Sequence, residues 1–502
     1  MKRIRKTLFA TCALALWLAV PQARAGVAFT NLVFFTYTNA PNYGWNNIIY
    51  LGHTSALVEG NDGSFYGTTV AGGTVYESNS SPPTYGFGTL FKVSPAGGFT
   101  SLHSFGSVDG DGRGPEGNLT KGLDGNIYGT TDGGGSLPFV GQGTIFKVST
   151  GGTLTTLYSF GHDMAGDPDL NNVYTNSDGG TPIAGIIQGR DGNFYGTTKG
   201  GGARDGGTVF QFKPDGTLIT LFTFPYYSDA SYVTNGNGPL SELAEGDDGA
   251  FYGTTFWGGA NGAGTIFRIT SGGTLTTLAS FEARDGYPNA PLVNGGAGVF
   301  YGLTQNSVFK VTADGRLTIL HSFGGGDGLS PSALILGSDG KLYGTTSGGG
   351  AHWPGTTGGT VFQMTTNGVF NSLYSFGGPD GSEPQSALVQ AKDGSFYGTT
   401  SYGGPQWIAS GGTQEPFPGF GTIFRIAIPP SLQSITQTNG IVNLTLSVMP
   451  GQTYQLEYST NLTSLGWLSL GSPTIASSPT VSATDDIGSD PQRYYRVALV
   501  SP

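Results

Sequence analysis

The chain contains almost no cysteine and few histidine or charged residues. Among its 502 residues are one cysteine, five histidines and only 11% Asp, Glu, Lys and Arg. Cys12 is the single cysteine and lies in an N-terminal apolar segment, so neither disulfides nor cysteine ligands can stabilise the rest of the chain. The histidines form no HExxH or similar motif, so the sequence offers no recognisable set of zinc ligands.

Positive charge is also scarce. The chain has 22 Lys and Arg residues against 33 Asp and Glu, a formal net charge of -11. Nucleic-acid affinity depends mainly on Lys and Arg neutralising phosphates, and anionic membranes attract the same side chains. We therefore expect no nucleic-acid partner. Beyond the N-terminus no run reaches the roughly 18 apolar residues of a transmembrane helix, so we also expect no membrane insertion of the mature chain.

The N-terminus has the pattern of a secretory signal peptide. Four basic residues come first: Lys2, Arg3, Arg5 and Lys6. An apolar stretch at 8–20 and the small residues around Arg24 follow, which predicts a signal peptide at 1–25 that is cleaved after Ala25. We expect a mature protein that is secreted, extracellular or at the cell surface, with the periplasm as the alternative. The C-terminus has no apolar tail with a basic stop, so we expect no membrane anchor there.

Glycine, by contrast, is abundant, with 88 residues, and it recurs in one motif. Tyr-Gly-Thr-Thr, or Tyr-Gly-Leu-Thr in one copy, begins at seven tyrosines: Tyr66, Tyr128, Tyr195, Tyr252, Tyr301, Tyr343 and Tyr397. A phosphate-binding glycine loop is needed once, and it ends in GK[ST] or opens a helix as GxGxxG, contexts that are absent here. Seven copies indicate a repeated structural unit instead.

Each repeat predicts four short strands. The unit reads P-x-x-x-L, D-G, F-Y-G-T-T, a variable loop, G-T-I-F-K-V, a glycine turn and L-T-T-L-Y-S-F. Apolar and polar residues alternate within the segments, as in strands with two unlike faces. The Asp-Gly, Gly-Gly and Asn-Gly pairs between strands one and two and between strands three and four predict two-residue hairpin turns.

The aromatic residue that ends the unit occurs only six times, at Phe105, Phe160, Phe224, Phe281, Phe323 and Phe376. The seventh copy is at the N-terminus, where Phe34-Phe35-Thr36-Tyr37 matches Leu221-Phe222-Thr223-Phe224. A ring explains this arrangement, because an N-terminal strand can complete the last sheet. We therefore predict an all-β chain in which residues 26–428 form a seven-bladed β-propeller closed by an N-terminal strand.

Repeats that read DGxxYGTTxxGG, GTxFKV and LYSF resemble the GloVer tandem-repeat family over residues 32–428. Members of that family are secreted bacterial proteins with varied C-terminal anchoring signals. The resemblance implies a secreted repeat protein and supplies no catalytic residues.

The pattern changes after the Pro429-Pro430 dipeptide, which we interpret as a linker. Glycine becomes less frequent, and alternating segments such as Val442-Asn443-Leu444-Thr445-Leu446 indicate further strands. We predict a small C-terminal β-sandwich at 429–502 that resembles fibronectin or immunoglobulin-like domains, with Trp467 in its core.

Residues present in every repeat are expected to be structural, because a ring has one centre and seven equivalent positions around it. The glycine of each Tyr-Gly-Thr-Thr motif should lie where no side chain fits, through positive φ or contact with a neighbouring blade. His103 and His321 share a repeat position with tyrosine and phenylalanine, so we expect them to pack. The Asp-Gly pairs before the blades should cap their own turns. A Ca²⁺ site in the Asp109/Asp111 loop is the alternative, and no other cofactor is expected.

The connections on one face of the predicted propeller vary in length, and they contain large aromatic residues. Binding residues concentrate on variable loops over a rigid frame, and tryptophan suits a sugar platform. The candidate ligand-binding residues are Trp45, Trp257, Trp353, Tyr402 and Trp407. The alternative is that these aromatic residues only pack the long loops against each other.

Two functions from different classes fit this pattern. The first is a secreted, non-catalytic binding or surface protein, expected to be a monomer, whose variable face recognises a neutral polysaccharide or another protein. The second is a propeller lyase or glycoside hydrolase that would draw an acid and a base from loop carboxylates. The candidates for that pair are Asp163, Asp167, Asp169 and Glu383. No catalytic motif is recognisable, so we assign no catalytic residue.

Overall fold

The computed structural model describes residues 27–35, 55–73, 86–135, 141–161, 165–166, 174–203, 205–225, 233–351, 358–405, 421–461, 466–488 and 492–500. Within these ranges the chain is all-β, with no α-helix and two 3-10 turns at Val233–Asn235 and Ala283–Asp285. The same ranges contain no helix of the length and apolarity that a membrane crossing requires.

Seven of the described sheets are antiparallel and four-stranded. In chain order we call them sheets one to seven. Their strands are Val58–Glu59, Phe65–Thr69, Thr89–Val93 and Phe99–Ser104 in sheet one; Thr120–Lys121, Ile127–Thr131, Thr144–Val148 and Leu154–Ser159 in sheet two; Ile187–Gln188, Phe194–Thr198, Thr208–Phe212 and Leu218–Thr223 in sheet three; Ala244–Glu245, Phe251–Thr255, Thr265–Ile269 and Leu275–Ser280 in sheet four; Val293–Gly296, Val299–Leu303, Ser307–Thr312 and Leu317–Ser322 in sheet five; Leu329–Leu336, Leu342–Gly348, Thr360–Met364 and Phe370–Ser375 in sheet six; and Val389–Gln390, Phe396–Thr400, Thr422–Ala427 and Ala28–Phe34 in sheet seven.

Shorter strands lie in the connections. Gly112–Arg113 pairs with Gly133–Gly134, and Tyr174–Gly180 pairs with both Ala165–Gly166 and Gly200–Gly202. These pairs join the segment before a sheet to the segment that follows its Thr-Thr pair, so they extend the sheets at the end where the variable connections lie.

The two central strands of each sheet are almost completely buried, and the outer fourth strand is half exposed. Hydrophobic clusters lie between sheets that follow each other in the chain. One of them contains Tyr66, Leu119 and Phe146 and joins sheets one and two. Another contains Phe65, Phe91 and Tyr397 and joins sheet seven to sheet one. The core is therefore a series of layers between neighbouring sheets, with the last sheet packed on the first.

The first strand of the chain belongs to the last sheet. Ala28–Phe34 is antiparallel to Thr422–Ala427, with Phe34 opposite Thr422. The residue that takes the place of the repeated final aromatic is Phe35, since its N–H donates to Gly421 O (3.1 Å) as that of Phe160 donates to Gly143 O (2.9 Å). The match of Tyr37 with Phe224 is therefore wrong by two residues. A shift of two preserves the alternation of faces, so the pattern alone could not detect it. Thr36 and Tyr37 lie outside the described residues.

The hairpin turns also differ from the expected two-residue type. In sheet one the N–H of Gly60 donates to Ser64 O (2.8 Å), which leaves three residues in the loop, and Gly63 has φ of 74°. This is a type I turn followed by a left-handed glycine, a common three-residue hairpin. Asp62 favours it because its Oδ1 accepts the N–H of Ser64 (3.1 Å). The loop between strands three and four, at 95–97, closes in the same way through Ser94.

The tyrosine of the repeated motif connects neighbouring sheets. In six sheets its hydroxyl donates to the aspartate of the preceding Asp-Gly turn, as Tyr195 does to Asp191 (2.7 Å). In five of these six sheets its ring packs on an aromatic residue at the start of the second strand of the next sheet, with centroids 3.8 Å apart for Tyr195 and Phe251 and 4.2 Å for Tyr397 and Phe65. Burial and the aspartate raise the pKa of Tyr195 to about 12, so the hydroxyl remains a donor.

The threonines of the motif make two further recurring contacts. The first threonine donates to a carbonyl in the next sheet, as Thr130 does to Ala184 O (2.8 Å). The second shares a hydrogen bond with the threonine that begins the third strand, as between Thr131 and Thr144 (2.8 Å). Each residue of the motif therefore has a structural partner.

The glycine of the motif has no room for a side chain in any of the seven copies. None has a positive φ. A Cβ on Gly196 would lie 2.6 Å from Cζ of Phe210 and 2.8 Å from Ile186. The obstructing residues belong to the same sheet, not to a neighbouring blade as one of the two expected alternatives had it. Space is excluded because the ring of the phenylalanine that pairs with the glycine occupies the place of a side chain.

The C-terminal strands form two three-stranded sheets. One contains Ser431–Thr438, Ile441–Ser447 and Thr480–Asp486, and the other contains Leu468–Ile475, Thr453–Ser459 and Tyr494–Leu499. Leu444, Leu446 and Leu456 lie in the cluster between them. Trp467 is not in that cluster; its ring packs against the Arg496 guanidinium, 4.4 Å away.

This C-terminal part contacts sheets six and seven at the end that carries the Asp-Gly turns. Met449 packs among Tyr343 and Phe396, and Gly451 lies against the backbone of Lys392. The described contact is therefore at the opposite end of the sheets from the variable connections.

We predict that Gly196→Val destabilises the protein by on the order of 1–3 kcal/mol, because the new methyl groups would overlap Phe210 and Ile186. Urea unfolding monitored by tyrosine and tryptophan fluorescence measures the change. Gly326→Ala is the control, since a Cβ there meets nothing within 4 Å. Equal stabilities for the two variants would contradict the packing explanation of the motif.

Candidate functional site

The segments that begin with proline and lead into the first strands line a cavity of 710 Å³. This volume lies within the range of about 300–1,000 Å³ typical of small-molecule sites. The lining residues come from sheets two to seven and include many apolar side chains, among them Leu240, Pro291 and Leu292. Its polar lining includes Glu116, Asn118, Glu242, Asn289, Ser332 and Gln385, and no described Lys, Arg or His contributes to it.

A repeated backbone feature positions these segments. The residues before three of the prolines, Thr181, Ser330 and Glu383, have φ of 52–56°, a left-handed conformation that is unusual outside glycine. This conformation turns the carbonyl of the residue before the proline toward the segment that follows the Thr-Thr pair of the same sheet. The N–H of Lys199 donates to Thr181 O and that of Ser401 to Glu383 O, both at 3.1 Å. These hydrogen bonds offset the backbone strain.

Among the residues that line the cavity, Glu242 has the most unusual surroundings. It stands two residues before the first strand of sheet four, and its Oε1 is enclosed, with no hydrogen-bond partner among the described residues. That oxygen lies against Gly185 of sheet three, where a Cβ would overlap it. Asn118 of sheet two is also adjacent, and Asn118 Oδ1 accepts the N–H of Ala56 in sheet one (2.8 Å). Polar groups from four consecutive sheets thus converge here.

The surroundings change the protonation of two carboxyl groups. Burial raises the pKa of Glu242 to about 7, and the nearby polar groups of Asn118 and Gly185 only partly oppose this rise. The side chain as a whole keeps partial solvent access because it faces the cavity, while its Oε1 is surrounded by protein. Burial, reinforced by the charge of Glu116, raises the pKa of Asp132 to about 6. Neutral carboxylic acids can donate hydrogen bonds.

An aromatic cluster lies in the segments next to the cavity lining. Phe256 stacks on Tyr287, with centroids 5.1 Å apart and an interplanar angle of 15°, and Trp257 meets Phe256 edge to face at 4.8 Å. We call these three residues the Phe256 cluster. All three are half-buried. Gly238 lies beneath the Trp257 ring, and its chain continues through Pro239 to Leu240 of the cavity.

The described candidate residues Trp257 and Tyr402 occupy the same repeat position, two residues after the Thr-Thr pair. Each is half-buried, and each backbone pairs with the segment before its sheet, Trp257 with Asn237 and Tyr402 with Ser382. The other sheets have alanine, glycine or, in sheet five, asparagine at this position. Both aromatic residues are therefore held at the same end of their sheets. The remaining candidates, Trp45, Trp353 and Trp407, lie outside the described residues.

The aspartates before the sheets have more partners than the expected turn caps. Asp111 Oδ2 contacts His103 Nε2 (2.8 Å) and Asp327 Oδ2 contacts His321 Nε2 (2.8 Å). In sheet two, Tyr158 makes the equivalent bond to Asp178 (3.0 Å). The two histidines thus hydrogen-bond as well as pack. In the part of the chain that the structure describes, no group of three His, Cys, Asp or Glu residues could hold a metal ion, and Asp109 is exposed.

Sequence reasoning did not identify the cavity carboxylates. Glu383 is near the cavity, where its Oε2 accepts from Gln385 (3.2 Å), but Asp163, Asp167 and Asp169 lie outside the described residues. The signal that could have identified Glu242 is its position before the leucine or isoleucine that recurs near the first strand of each sheet. The other repeats have Ala56, Asn118, Gly185, Pro291, Ala333 and Ala387 there. Glu242 is the only charged residue at this position among the seven repeats, and in that it departs from the repeat.

The fold defines this chain as an all-β repeat protein built from consecutive four-stranded antiparallel sheets. The model of the Gloeobacter/Verrucomicrobia repeat matches it twice, at residues 169–307 and 307–454, which together make up more than half of the chain. The protein belongs to that repeat family. A comparison with curated protein sequences finds no match.

Several solved structures are similar at low identity. A streptogramin B lyase is 16% identical, with a TM-score of 0.49 over 80% of this chain and 97% of its own. Virginiamycin B lyase from Staphylococcus aureus is 15% identical, with a TM-score of 0.49 over 80% of this chain and 99% of its own. A gluconolactonase from Xanthomonas campestris is 14% identical, with a TM-score of 0.37 over 60% and 86%. Likenesses of this size assign no activity to this chain.

We predict that Glu242→Gln changes how the stability of the protein depends on pH. The folded pKa of about 7 exceeds the ordinary value of 4.5, so the native state holds the proton more tightly and the wild type loses stability as the pH rises from about 4.5 to 7. The neutral amide avoids this loss, so relative to wild type the variant should gain on the order of 1–3 kcal/mol between pH 4 and pH 8. Urea unfolding at both pH values measures it.

The matched control is Glu59→Gln, a glutamate at the opposite end of a first strand, which reports the effect of removing one negative charge elsewhere. If both variants follow the pH dependence of the wild type, the carboxyl of Glu242 is not desolvated as described.

Proposed function

We propose that the seven sheets are the blades of a closed β-propeller at residues 26–428, that a C-terminal β-sandwich at 429–502 is attached to it, and that the protein is secreted. Support for the closure comes from the pairing of Ala28–Phe34 with sheet seven and from the cluster that joins sheet seven to sheet one. The basic and apolar pattern at 1–25 supports secretion. A ring of this kind needs no second copy, which favours a monomer.

The closure predicts that Phe35→Ala destabilises the protein as much as Phe160→Ala, because both phenylalanines occupy the same place in their sheets. Each should cost about 3–5 kcal/mol, the usual loss for a buried phenylalanine. Urea unfolding compares them. A Phe35→Ala variant as stable as the wild type would mean that the N-terminal strand does not close a ring.

We propose that this propeller is a non-catalytic binding protein whose ligand is a neutral polysaccharide. The observation that carries the proposal is the Phe256 cluster, which combines stacked, half-buried aromatic rings with chain continuity to the cavity. Aromatic faces pack well on sugar rings, and a rigid indole loses little entropy on binding. The absence of basic side chains from the described lining disfavours an anionic polymer.

Two further observations agree with a display role. The C-terminal sheets contact the end of the sheets that carries the Asp-Gly turns, so the described contact does not cover the Phe256 cluster. In sheet five the connection between the second and third strands, at Gln305 and Asn306, is very short. Few residues therefore project beside Tyr287 at that end of the sheet. A long polymer could approach the cluster from that side.

The binding proposal predicts that Trp257→Ala weakens polysaccharide binding by on the order of 1–3 kcal/mol, as loss of an aromatic anchor does. A glycan array with the purified protein identifies the ligand, and calorimetry measures the change in affinity. Trp467→Ala is the matched control, because that indole packs on Arg496 in the C-terminal part. Unchanged binding by Trp257→Ala, with a lowered melting temperature, would assign the cluster to loop packing.

An extracellular lyase or glycoside hydrolase is the second candidate. It is favoured by the raised pKa of Glu242 in the cavity and by that of Asp132, which burial and the charge of the lining residue Glu116 raise, since general acids need a proton near neutral pH. Assaying the ligands from the array for cleavage tests it. Turnover that Glu242→Gln abolishes would establish an enzyme and replace the binding function.

A further inference from the structure

The central cavity has the composition of a site for an uncharged, hydroxyl-rich ring. Its polar groups are mostly amides and hydroxyls, from Asn118, Asn289, Ser332 and Gln385, which both donate and accept hydrogen bonds. Leu240 and Leu292 supply apolar surface against which the C–H groups of such a ring can pack. The described lining holds no cation to neutralise a carboxylate or a phosphate.

Glu242 is placed where it can select the ligand. Glu242 lines the cavity and its side chain keeps partial solvent access, while its Oε1 is enclosed against Gly185 and Asn118. Only glycine at 185 leaves room for that oxygen. A ligand can reach this carboxyl only where the side chain faces the cavity, and a hydrogen bond there would offset part of the cost of burying the group.

We propose that this cavity binds a single neutral sugar unit and that Glu242 is the residue that determines specificity for it. The inference rests on the proposed polysaccharide-binding function and assigns the cavity as the place where one unit, such as a chain end, is held. The Phe256 cluster would contact the units that follow, because its segments lead directly into the lining through Leu240 and Asn289.

The protonation of Glu242 makes the site sensitive to pH. The groups packed around its carboxyl are Asn118 and Gly185, neither of which titrates, and Glu116 is the other titratable residue of the described lining. Burial, and after it the charge of Glu116, raises the pKa of Asp132. Below pH 7 Glu242 is a hydrogen-bond donor to a sugar hydroxyl; above pH 7 the same site would hold a buried negative charge.

The test measures binding of monosaccharides to the full protein by ligand-observed NMR and calorimetry at pH 5.5 and pH 8.5. The probes are glucose, galactose, mannose and N-acetylglucosamine, with glucuronate and glucosamine as anionic and cationic comparators. At least one neutral sugar should bind, at least tenfold more tightly than either charged comparator. If only the protonated form binds, its affinity should fall roughly thirtyfold between the two pH values, because ionisation near pH 7 is tenfold per unit.

Three variants separate the contributions. Glu242→Gln keeps a donor in every condition, so its affinity should vary less than threefold with pH. Ser332→Trp fills the cavity and should abolish binding of the monosaccharide, while Glu59→Gln, at the far end of a first strand, should behave as wild type. Failure of all neutral sugars to bind, tighter binding of a charged comparator, or a pH dependence that persists in Glu242→Gln would overturn the inference.

The outcomes also distinguish this inference from the proposed function. Polysaccharide binding that depends on Trp257 but survives Ser332→Trp would leave the binding function standing and place the sugar outside the cavity. Monosaccharide binding that Ser332→Trp removes, with no effect of Trp257→Ala on the polymer, would support the cavity and contradict the aromatic platform.

Discussion

The contact between the repeated tyrosine and the aromatic residue of the next sheet holds the structure together. The aspartate of its own hairpin fixes the tyrosine hydroxyl, and the ring can then stack in only one direction, on the following sheet. The adjacent glycine lets the phenylalanine of the third strand lie beneath it. One short motif thereby couples the turn, the sheet interior and the interface between sheets. The chain stabilises its sheets in this way without disulfides.

The same regularity defines where a site can form. Because the tyrosine, glycine and threonines of each motif are used by packing, chemical variety is confined to the segments before the first strands and after the Thr-Thr pairs. Glu242, Asn118 and Trp257 all lie in those segments. These differences from the repeat depend on each other. Because Gly185 has no side chain, Glu242 Oε1 can occupy the space beside it. The candidate site therefore consists of residues that differ from the repeat and are held in place by residues that the repeats share.

Much of the frame was readable from the sequence because its signals are local. Alternation of apolar residues gave the four strands of each unit, and recurrence gave the special glycines such as Gly196. Two details failed where the signal is degenerate. The N-terminal strand was placed two residues out of register, since a shift of two keeps every side chain on its face, and only the Phe35 N–H to Gly421 contact decides between them. The Asp-Gly pairs fit hairpins of two or three residues equally well, and the ladder hydrogen bond of Gly60 selects the longer.

The sequence by itself determined an all-β chain of repeated four-stranded units, with low charge, one cysteine and membership of its repeat family, because these properties follow from composition, period and motif. Which of the residues that differ from the repeat lie close together depends on the tertiary structure. Asn118, Gly185 and Glu242 follow each other in the sequence at intervals of more than fifty residues. Phe256, which follows the second strand of sheet four, contacts Tyr287, which precedes sheet five. Their proximity results from the packing of neighbouring sheets, and the raised pKa of Glu242 results from the burial which that packing imposes. An unfolded chain has neither this proximity of the residues nor the raised pKa of Glu242.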